Sequence, residues 1–369
     1  MDRGKKSGLA ARNNRIYLDF KDIIRETALP FLPAKSLAKF RAVCRDWRLQ
    51  ISTPFFAHQQ TLSCRSTSGF FLQNRGESPF LISVDTNSCG VPDPSLRFLP
   101  EPVDIKSSSN GLLCCQGREG DKAYYICNPV TKQWKKLPKS NANHGSDPAI
   151  VLLFEPSLLN FVAEYKIICA FPSTDFGEAT EFEIYSSRED SWEVAGEICF
   201  GARKVVPKSG VHVNGVVYWM TPTSVLAFDL TKERSQFFRW YYNYGILGAF
   251  DGKLCNVYAT GGSIRLNILA NTHTNTMQMG SQTSMWLEKK TVVLDSKIVG
   301  DGAMSCSILH VDNNIMVVHS GERTFSYDFK SRATKLLSGR AGINYRCFPL
   351  WQSRKIEYGH CMSSSRALL

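Results

Sequence analysis

The sequence predicts a multidomain chain: a small all-α module at the N-terminus, followed by an all-β, propeller-like domain of about six blades. Three observations support this prediction. Near the N-terminus, apolar residues recur at spacings of three and four, the period of an amphipathic helix. Beyond about residue 66, short alternating strands and Gly, Asn-Gly and Asp-Gly turns replace that period. A strand-and-turn unit also recurs through the β-rich part.

Composition and length suit a globular protein with a sizeable core. The 369 residues are 43% hydrophobic and 21% charged. No stretch approaches the roughly 18 consecutive apolar residues of a membrane span, and residues 1–15 lack the apolar segment of a secretory signal. We therefore expect an intracellular protein, in the nucleus, the cytoplasm or both, that does not bind a membrane.

The net charge of +11 is concentrated at the N-terminus. Residues 1–60 carry 12 basic and 5 acidic side chains, a net +7, whereas residues 61–369 carry 32 and 28, a net +4. The basic cluster fits an acidic protein partner as well as phosphate, but it lacks the interleaved aromatics of a nucleic-acid reader. We expect no nucleic-acid partner.

The chemistry-bearing residues show no catalytic or metal-binding spacing. The 12 cysteines include no C-x-x-C pair, which predicts reduced, mostly buried thiols. The seven histidines form no H-E-x-x-H, and no G-x-S-x-G or phosphate-binding glycine loop occurs. We expect no cofactor and no catalysis, although a propeller enzyme built from distant loops stays as an alternative.

The N-terminal region divides into an arm and a helical module. Residues 1–15 are polar and basic, which predicts disorder. Asp19 can cap a first helix that ends at Pro30, and Pro33 suits the first position of the next helix because proline needs no N–H donor there. The apolar stripe that follows consists of Leu37, Phe40, Val43, Trp47 and Ile51.

The repeated β unit starts at a turn and continues through three strands. Its clearest copies are residues 107–138 and 212–240. Further copies lie at 250–269 and 310–337, and weaker ones at 69–99 and 164–196. The spacing of about 40 to 50 residues is the length of a four-stranded propeller blade, and stacked blades cover each other's faces. A pair of open β-sandwiches is the alternative.

Residues 32–59, LPAKSLAKFRAVCRDWRLQISTPFFAHQ, resemble the second half of the F-box of plant proteins. The preceding stretch, FKDIIRETALPFLP, departs from the family because it lacks the opening Leu-Pro-x-Asp and is one residue longer. The matching positions are Leu32, Pro33, Lys35, Ser36, Leu37, Phe40, Val43, Cys44, Trp47, Ile51, Ser52, Pro54 and Phe56.

This resemblance implies a three-helix F-box at residues 16–60 that binds a Skp-type adaptor and, through it, a cullin. A module of about 45 residues is too small to bury two apolar faces, so some apolar side chains should await a partner. For each residue the alternative is ordinary packing within the three-helix core. The residues that the resemblance assigns to the adaptor interface, or to packing directly behind it, are Leu32, Pro33, Leu37, Val43, Cys44 and Trp47.

The domain expected at residues 61–369 resembles, over nearly all of residues 69–351, the F-box-associated, kelch-related domain of plant F-box proteins. The resemblance is clearest in SSSNGLLCC with YYICNPVTKQWKKLP and in VHVNGVVYWM. The resemblance implies a ubiquitin-ligase subunit whose propeller holds an unidentified protein substrate. The alternative is an F-box and propeller module that acts outside a ligase. The Asn-Gly pairs at 110 and 214 are predicted turns. The predicted inter-blade tryptophans are Trp134, Trp192, Trp219 and Trp240.

Overall fold

The computed structural model describes part of the N-terminal region and most of the β-rich region. The predicted arm at residues 1–15, the predicted cap at Asp19, Pro33 and Trp240 lie outside the described residues. The described residues are 24, 28–32, 34–51, 56, 67–84, 91–145, 147–154, 164–201, 204–239, 245–260, 263–270, 286–293, 306–338 and 345–351.

The described N-terminal residues form a short 3₁₀ turn, Leu29–Phe31, and two helices, Ala34–Phe40 and Arg45–Ile51. The apolar stripe predicted from Leu37 to Ile51 therefore spans two helices. The first helix ends after Phe40, where Ala42 N and Val43 N make i−3 backbone hydrogen bonds that tighten its last turn. None of the described helices is long and apolar enough to cross a membrane.

The β-rich region is a six-bladed propeller. In the first blade, β1 (Thr67–Gln73) lies between β2 (Phe80–Ser83) and β23 (Arg346–Trp351). The second blade contains β3 (Val103–Ser109), β4 (Leu112–Gly117), β5 (Tyr124–Asn128) and β6 (Gln133–Lys136). The third contains β7 (Ala149–Phe154), β8 (Tyr165–Pro172), β9 (Ala179–Ser186) and β10 (Ser191–Phe200).

The remaining three blades have the same antiparallel order. The fourth contains β11 (Val211–Val213), β12 (Val216–Met220), β13 (Ser224–Asp229) and β14 (Arg234–Arg239). The fifth contains β15 (Ile246–Phe250), β16 (Lys253–Thr260), β17 (Ser263–Leu269) and β18 (Trp286–Val293). The sixth contains β19 (Cys306–Val311), β20 (Ile315–Ser320), β21 (Arg323–Asp328) and β22 (Thr334–Ser338).

The C-terminal strand closes the ring. β23 pairs with β1 in antiparallel register, with Phe348 opposite Phe71, and forms the innermost strand of the first blade. The two ends of the propeller thus share one sheet, so that neither exposes a free inner edge. The sheets form a ring rather than two packed layers, which rules out the β-sandwich alternative.

The inner strands β23, β3, β7, β11, β15 and β19 contact one another in this order around the axis. They run in the same direction: the hydroxyls of Ser107 and Ser109 accept hydrogen bonds from the N–H groups of Leu152 (2.9 Å) and Phe154 (3.2 Å) on the next blade. We call the face where the inner strands begin the upper face, and the face where they end the lower face.

The predicted Asn-Gly turns lie on the lower face and join each inner strand to the second strand. Asn110 and Asn214 have φ of 44° and 49°, and the glycine after each also has positive φ, as a type I′ turn requires. The same side chains reach the next blade: Asn110 Nδ2 donates to Phe154 O (2.5 Å) and Asn214 Nδ2 to Gly252 O (2.8 Å). These turns therefore connect blades as well as strands.

The apolar cores lie between successive blades. Trp192 packs in the cluster between the second and third blades, and fully buried Trp219 in the next one. Trp134 packs against the cluster between the first and second blades. The prediction that these three tryptophans are inter-blade core is confirmed. The nine cysteines that are described are free thiols, as predicted.

Candidate functional site

The inner strands surround a central cavity of about 510 Å³, which we call the central channel. All six blades contribute to its wall through β3, β7, β11, β15, β19 and β23. Lys106 and Lys208 line it, and both lie towards the upper face. Because every blade contributes, the channel exists only in the closed ring.

The upper mouth of the channel is defined by four charged residues: Lys106, Asp147, Lys208 and Arg346. Arg346 NH2 donates to both carboxylate oxygens of Asp147, at 2.9 and 2.8 Å, and Lys106 Nζ lies 3.3 Å from Oδ1. The Lys106 side chain is 3% exposed and that of Arg346 10%. Asp147 thus joins the third blade to the second and to the closing strand.

Burial and neighbouring charges shift the pKa values at this mouth. Burial raises the pKa of Asp147, but the hydrogen bond and charge of Arg346, together with Lys106, outweigh it and hold the pKa below its usual value. Burial lowers the pKa of Lys106 although Asp147 opposes the shift. The pKa of Lys208 is also lowered, through partial desolvation and the positive charge of Arg346.

The upper mouth offers hydrogen-bond donors and positive charge rather than a nucleophile or a metal site. Among the described residues, no group of three or more His, Cys, Asp or Glu side chains could hold a metal ion. Ser209 also lines the channel, but its hydroxyl accepts from Met220 N (2.7 Å) and donates to Val206 O (2.7 Å). The arrangement is suited to binding a charged group.

The third blade carries an exposed aromatic pair on the same upper face. The rings of Phe176 and Phe200 are 5.3 Å apart in a T-shaped arrangement, and the two side chains are 44% and 62% exposed. Phe176 belongs to the turn between β8 and β9, and Phe200 ends β10. Strand direction brings both ends to the upper face, where an apolar contact for a partner is available.

The described N-terminal residues include five of the six predicted adaptor residues, which the structure distributes between core and surface. Leu37 is fully buried, in a cluster with Leu29, Ile51 and Phe56. Leu32 and Trp47 are partly buried against the same cluster. These three residues therefore help to hold the helices together.

Val43 and Cys44 lie in the break between the two helices and are exposed. Val43 is 60% exposed. The Cys44 sulfur accepts a hydrogen bond from Trp47 N at 3.4 Å, the position of a side-chain cap at a helix start. Pro33 lies outside the described residues. Val43 is therefore the predicted residue whose side chain is most available to a partner.

Sequence reasoning missed the upper mouth. Asp147 is 41 positions from Lys106 and 199 from Arg346 along the chain, and none of the four residues belongs to a motif. A weak signal was present, because Lys106 lies in an inner strand and Asp147 lies two residues before one. Only the strand order shows that such positions converge.

Comparison with known families gives one match that covers most of the propeller. Residues 91–329 match the F-box associated beta propeller domain.

Among curated relatives, an Arabidopsis thaliana F-box protein is 30% identical over 232 residues, 58% of this chain and 62% of the relative. A second F-box protein from the same plant is 29% identical over 252 residues, 62% of this chain and 58% of the relative. An F-box/kelch-repeat protein, also from A. thaliana, is 24% identical over 235 residues, 56% of this chain and 62% of the relative. The chain thus spans about three fifths of the length of these relatives.

Proposed function

The chain belongs to the F-box-associated β-propeller family, and from this membership we propose that it is the substrate-receptor subunit of a Skp-cullin-F-box ubiquitin ligase. In this role residues 16–60 form a three-helix F-box that binds a Skp-type adaptor, and the adaptor connects the chain to a cullin. The propeller, within residues 61–369, recruits a protein substrate. The chain itself is non-catalytic, needs no cofactor, and acts in the nucleus, the cytoplasm or both.

The observation that carries this proposal is the joint presence of the F-box-like residues 32–59 and a family propeller in one chain. The mechanism is positional. A substrate held on the propeller stays close to the conjugating enzyme that the cullin carries, which raises the effective concentration of its lysines. The propeller needs binding surfaces for this, not catalytic groups.

Exposed apolar side chains in the described N-terminal region support the adaptor interface. Phe31, Val43 and Leu49 are each 60% exposed. Large apolar side chains that a small helical module leaves in water are typical of a surface that a partner covers. We therefore assign the adaptor contact to these three residues and to the exposed Cys44.

The test is a titration of the full chain with a purified Skp-type adaptor by calorimetry. Val43→Asp places a charge in the proposed apolar interface, and we expect adaptor affinity to fall at least about tenfold, roughly 1.4 kcal/mol. The matched control is Val194→Asp, because Val194 is 42% exposed but lies in β10 of the propeller. Equal effects of the two substitutions would contradict the proposed interface.

A reconstituted ubiquitination assay separates the ligase from the alternative role. Loss of target ubiquitination with Val43→Asp, and not with Val194→Asp, supports the substrate-receptor function. Adaptor binding without ubiquitination of any bound target would favour an interaction module that acts outside a ligase.

A further inference from the structure

Among the described residues, the charges at the upper mouth of the central channel do not balance. Lys106, Lys208 and Arg346 contribute three positive charges and Asp147 one negative charge, a net of +2. Both oxygens of Asp147 are already engaged by Arg346, and one of them also by Lys106. Among the described residues, no carboxylate lies within 4.0 Å of Lys208 Nζ, so this ammonium has no ion-pair partner.

The neighbouring acidic groups in the described part of the chain do not remove this excess. Besides Asp147, the carboxylate of Asp104 also acts on Lys106 and raises its pKa slightly. Asp104 is itself paired with Arg118, whose Nε lies 2.8 Å from Oδ1, so this pair adds no net charge. Arg118 also donates to the carbonyl oxygen of Gly76, which holds it towards the first blade and away from the channel.

The concave position of the excess positive charge strengthens its attraction for an anion. A concave site with low-dielectric walls concentrates the field of the charges that line it, and attraction there is screened less than on an open surface. Lys106 is almost fully buried, and Arg346 nearly so, which means that neither is free to turn into solvent. The fork of a guanidinium and the point charge of a lysine are both established donors to phosphate oxygens.

We propose that the upper mouth of the central channel binds one phosphate monoester group, held by Lys208, Lys106 and Arg346. A phosphate monoester carries about −1.5 to −2 charges at neutral pH and so matches the net +2, whereas one carboxylate would leave half of the excess. The inference rests on the proposed function in one respect: the group belongs to the protein that the propeller recruits. A free phosphorylated small molecule is the other source of the same chemistry.

The test measures binding of three probes to the full chain by calorimetry: a peptide with a central phosphoserine, the same peptide without phosphate, and free phosphoserine. We expect the phosphopeptide to bind at least about tenfold more tightly than the unmodified peptide. If free phosphoserine binds as tightly as the phosphopeptide, the phosphate site stands but its natural ligand is a small molecule. Equal binding of the two peptides would overturn the inference.

Two lysines on one loop supply a matched pair of variants. Lys208→Gln removes the unpaired ammonium, and we expect phosphopeptide affinity to fall at least about tenfold. Lys204→Gln removes an exposed lysine that stands before the same inner strand but does not line the channel, and we expect a change of less than about twofold. Both side chains are exposed, so the fold should tolerate either change. Indistinguishable variants would overturn the inference.

Asp147→Asn gives a change of opposite sign. It raises the net charge of the mouth from +2 to +3, and we expect phosphopeptide affinity to rise at least about threefold; a fall in a variant that still melts cooperatively would contradict the site. Adaptor binding is measured in the same samples. Adaptor binding without phosphate binding refutes this inference alone, and phosphate binding without adaptor binding refutes the proposed ligase function alone.

Discussion

Gln73 should be one of the most sensitive polar residues of the propeller, because it joins the first blade to the second through buried hydrogen bonds. Its side chain is 2% exposed. The amide oxygen accepts from Ile105 N at 2.7 Å, and the amide nitrogen donates to Val103 O and Glu77 O at 2.9 Å each. The substitution Gln73→Met keeps the length of the side chain but removes all three bonds.

The expected loss of stability follows from the buried backbone groups that the substitution leaves without a hydrogen-bond partner. The N–H of Ile105 and the carbonyl of Val103 lose a partner at a buried position, and an unsatisfied buried polar group costs about 1–3 kcal/mol. We therefore expect Gln73→Met to lower the free energy of unfolding by about 2–5 kcal/mol. Each kcal/mol lowers the melting temperature by roughly 2–4 °C in domains of 150–250 residues and by somewhat less in a larger propeller, so the fall should be at least roughly 3 °C.

Gln116→Met is the matched control. Gln116 is also buried, at 4% exposure, but its amide nitrogen lies 3.5 Å from the hydroxyl oxygen of Tyr124, a long contact, and satisfies no backbone group of another blade. We expect it to cost less than about 1 kcal/mol. Urea unfolding of both variants and the parent chain, followed by tryptophan fluorescence, gives the comparison. Equal losses would refute the argument that backbone pairing between blades sets the cost.

Three further predictions concern the propeller and the helices. Gly248→Val should lower the melting temperature by several degrees in a thermal scan, because a Cβ on Gly248 would overlap the Val311 side chain on the next inner strand; an unchanged transition would show that the strands can separate there. The pKa values of Asp147 and of Asp312, which lies beside His310, are lowered in the folded state. The stability that these two carboxylates contribute is therefore present above about pH 4 and is lost as the pH falls through the lowered pKa values. Urea unfolding at pH 7 and pH 3 should show this loss of stability, and Asp147→Asn should make the loss smaller. Leu37→Ala should abolish adaptor binding by loosening the helical cluster while the propeller transition stays unchanged, as a melt followed by near-ultraviolet circular dichroism would record; a lowered propeller transition would contradict the independence of the two parts.

The parts of the fold that could be predicted from the sequence are those that local chemistry decides. Asn-Gly at 110 and 214 predicts a type I′ turn because both residues tolerate positive φ, and the structure has positive φ at each. The spacing of such turns predicted about six repeats, and six blades are present. A further local signal is the turn after the third strand, where Asp229 and Asp328 each accept two backbone N–H groups.

The innermost strands could not be located in the same way. The repeats found in the sequence include at most the end of an innermost strand, because in the second to sixth blades this strand precedes the turn and in the first blade it is the C-terminal β23. Among these innermost strands, β11 has only three residues, and β3 carries Lys106 and three serines. They line the channel and approach neighbouring blades closely, so they lack the alternating apolar pattern of a strand with one buried face.

The sequence by itself determined the turn positions, the repeat length and the F-box-like residues 32–59, because each depends on residues close together in the chain. Only the tertiary structure decided where the ring closes and which charges meet at its upper mouth. Lys106, Asp147, Lys208 and Arg346 come from four blades and are separated by up to 240 positions. The physical reason is that closure of β23 onto β1 sets the distances between inner strands, and electrostatic attraction depends on those distances and on burial, neither of which is encoded by spacing along the chain.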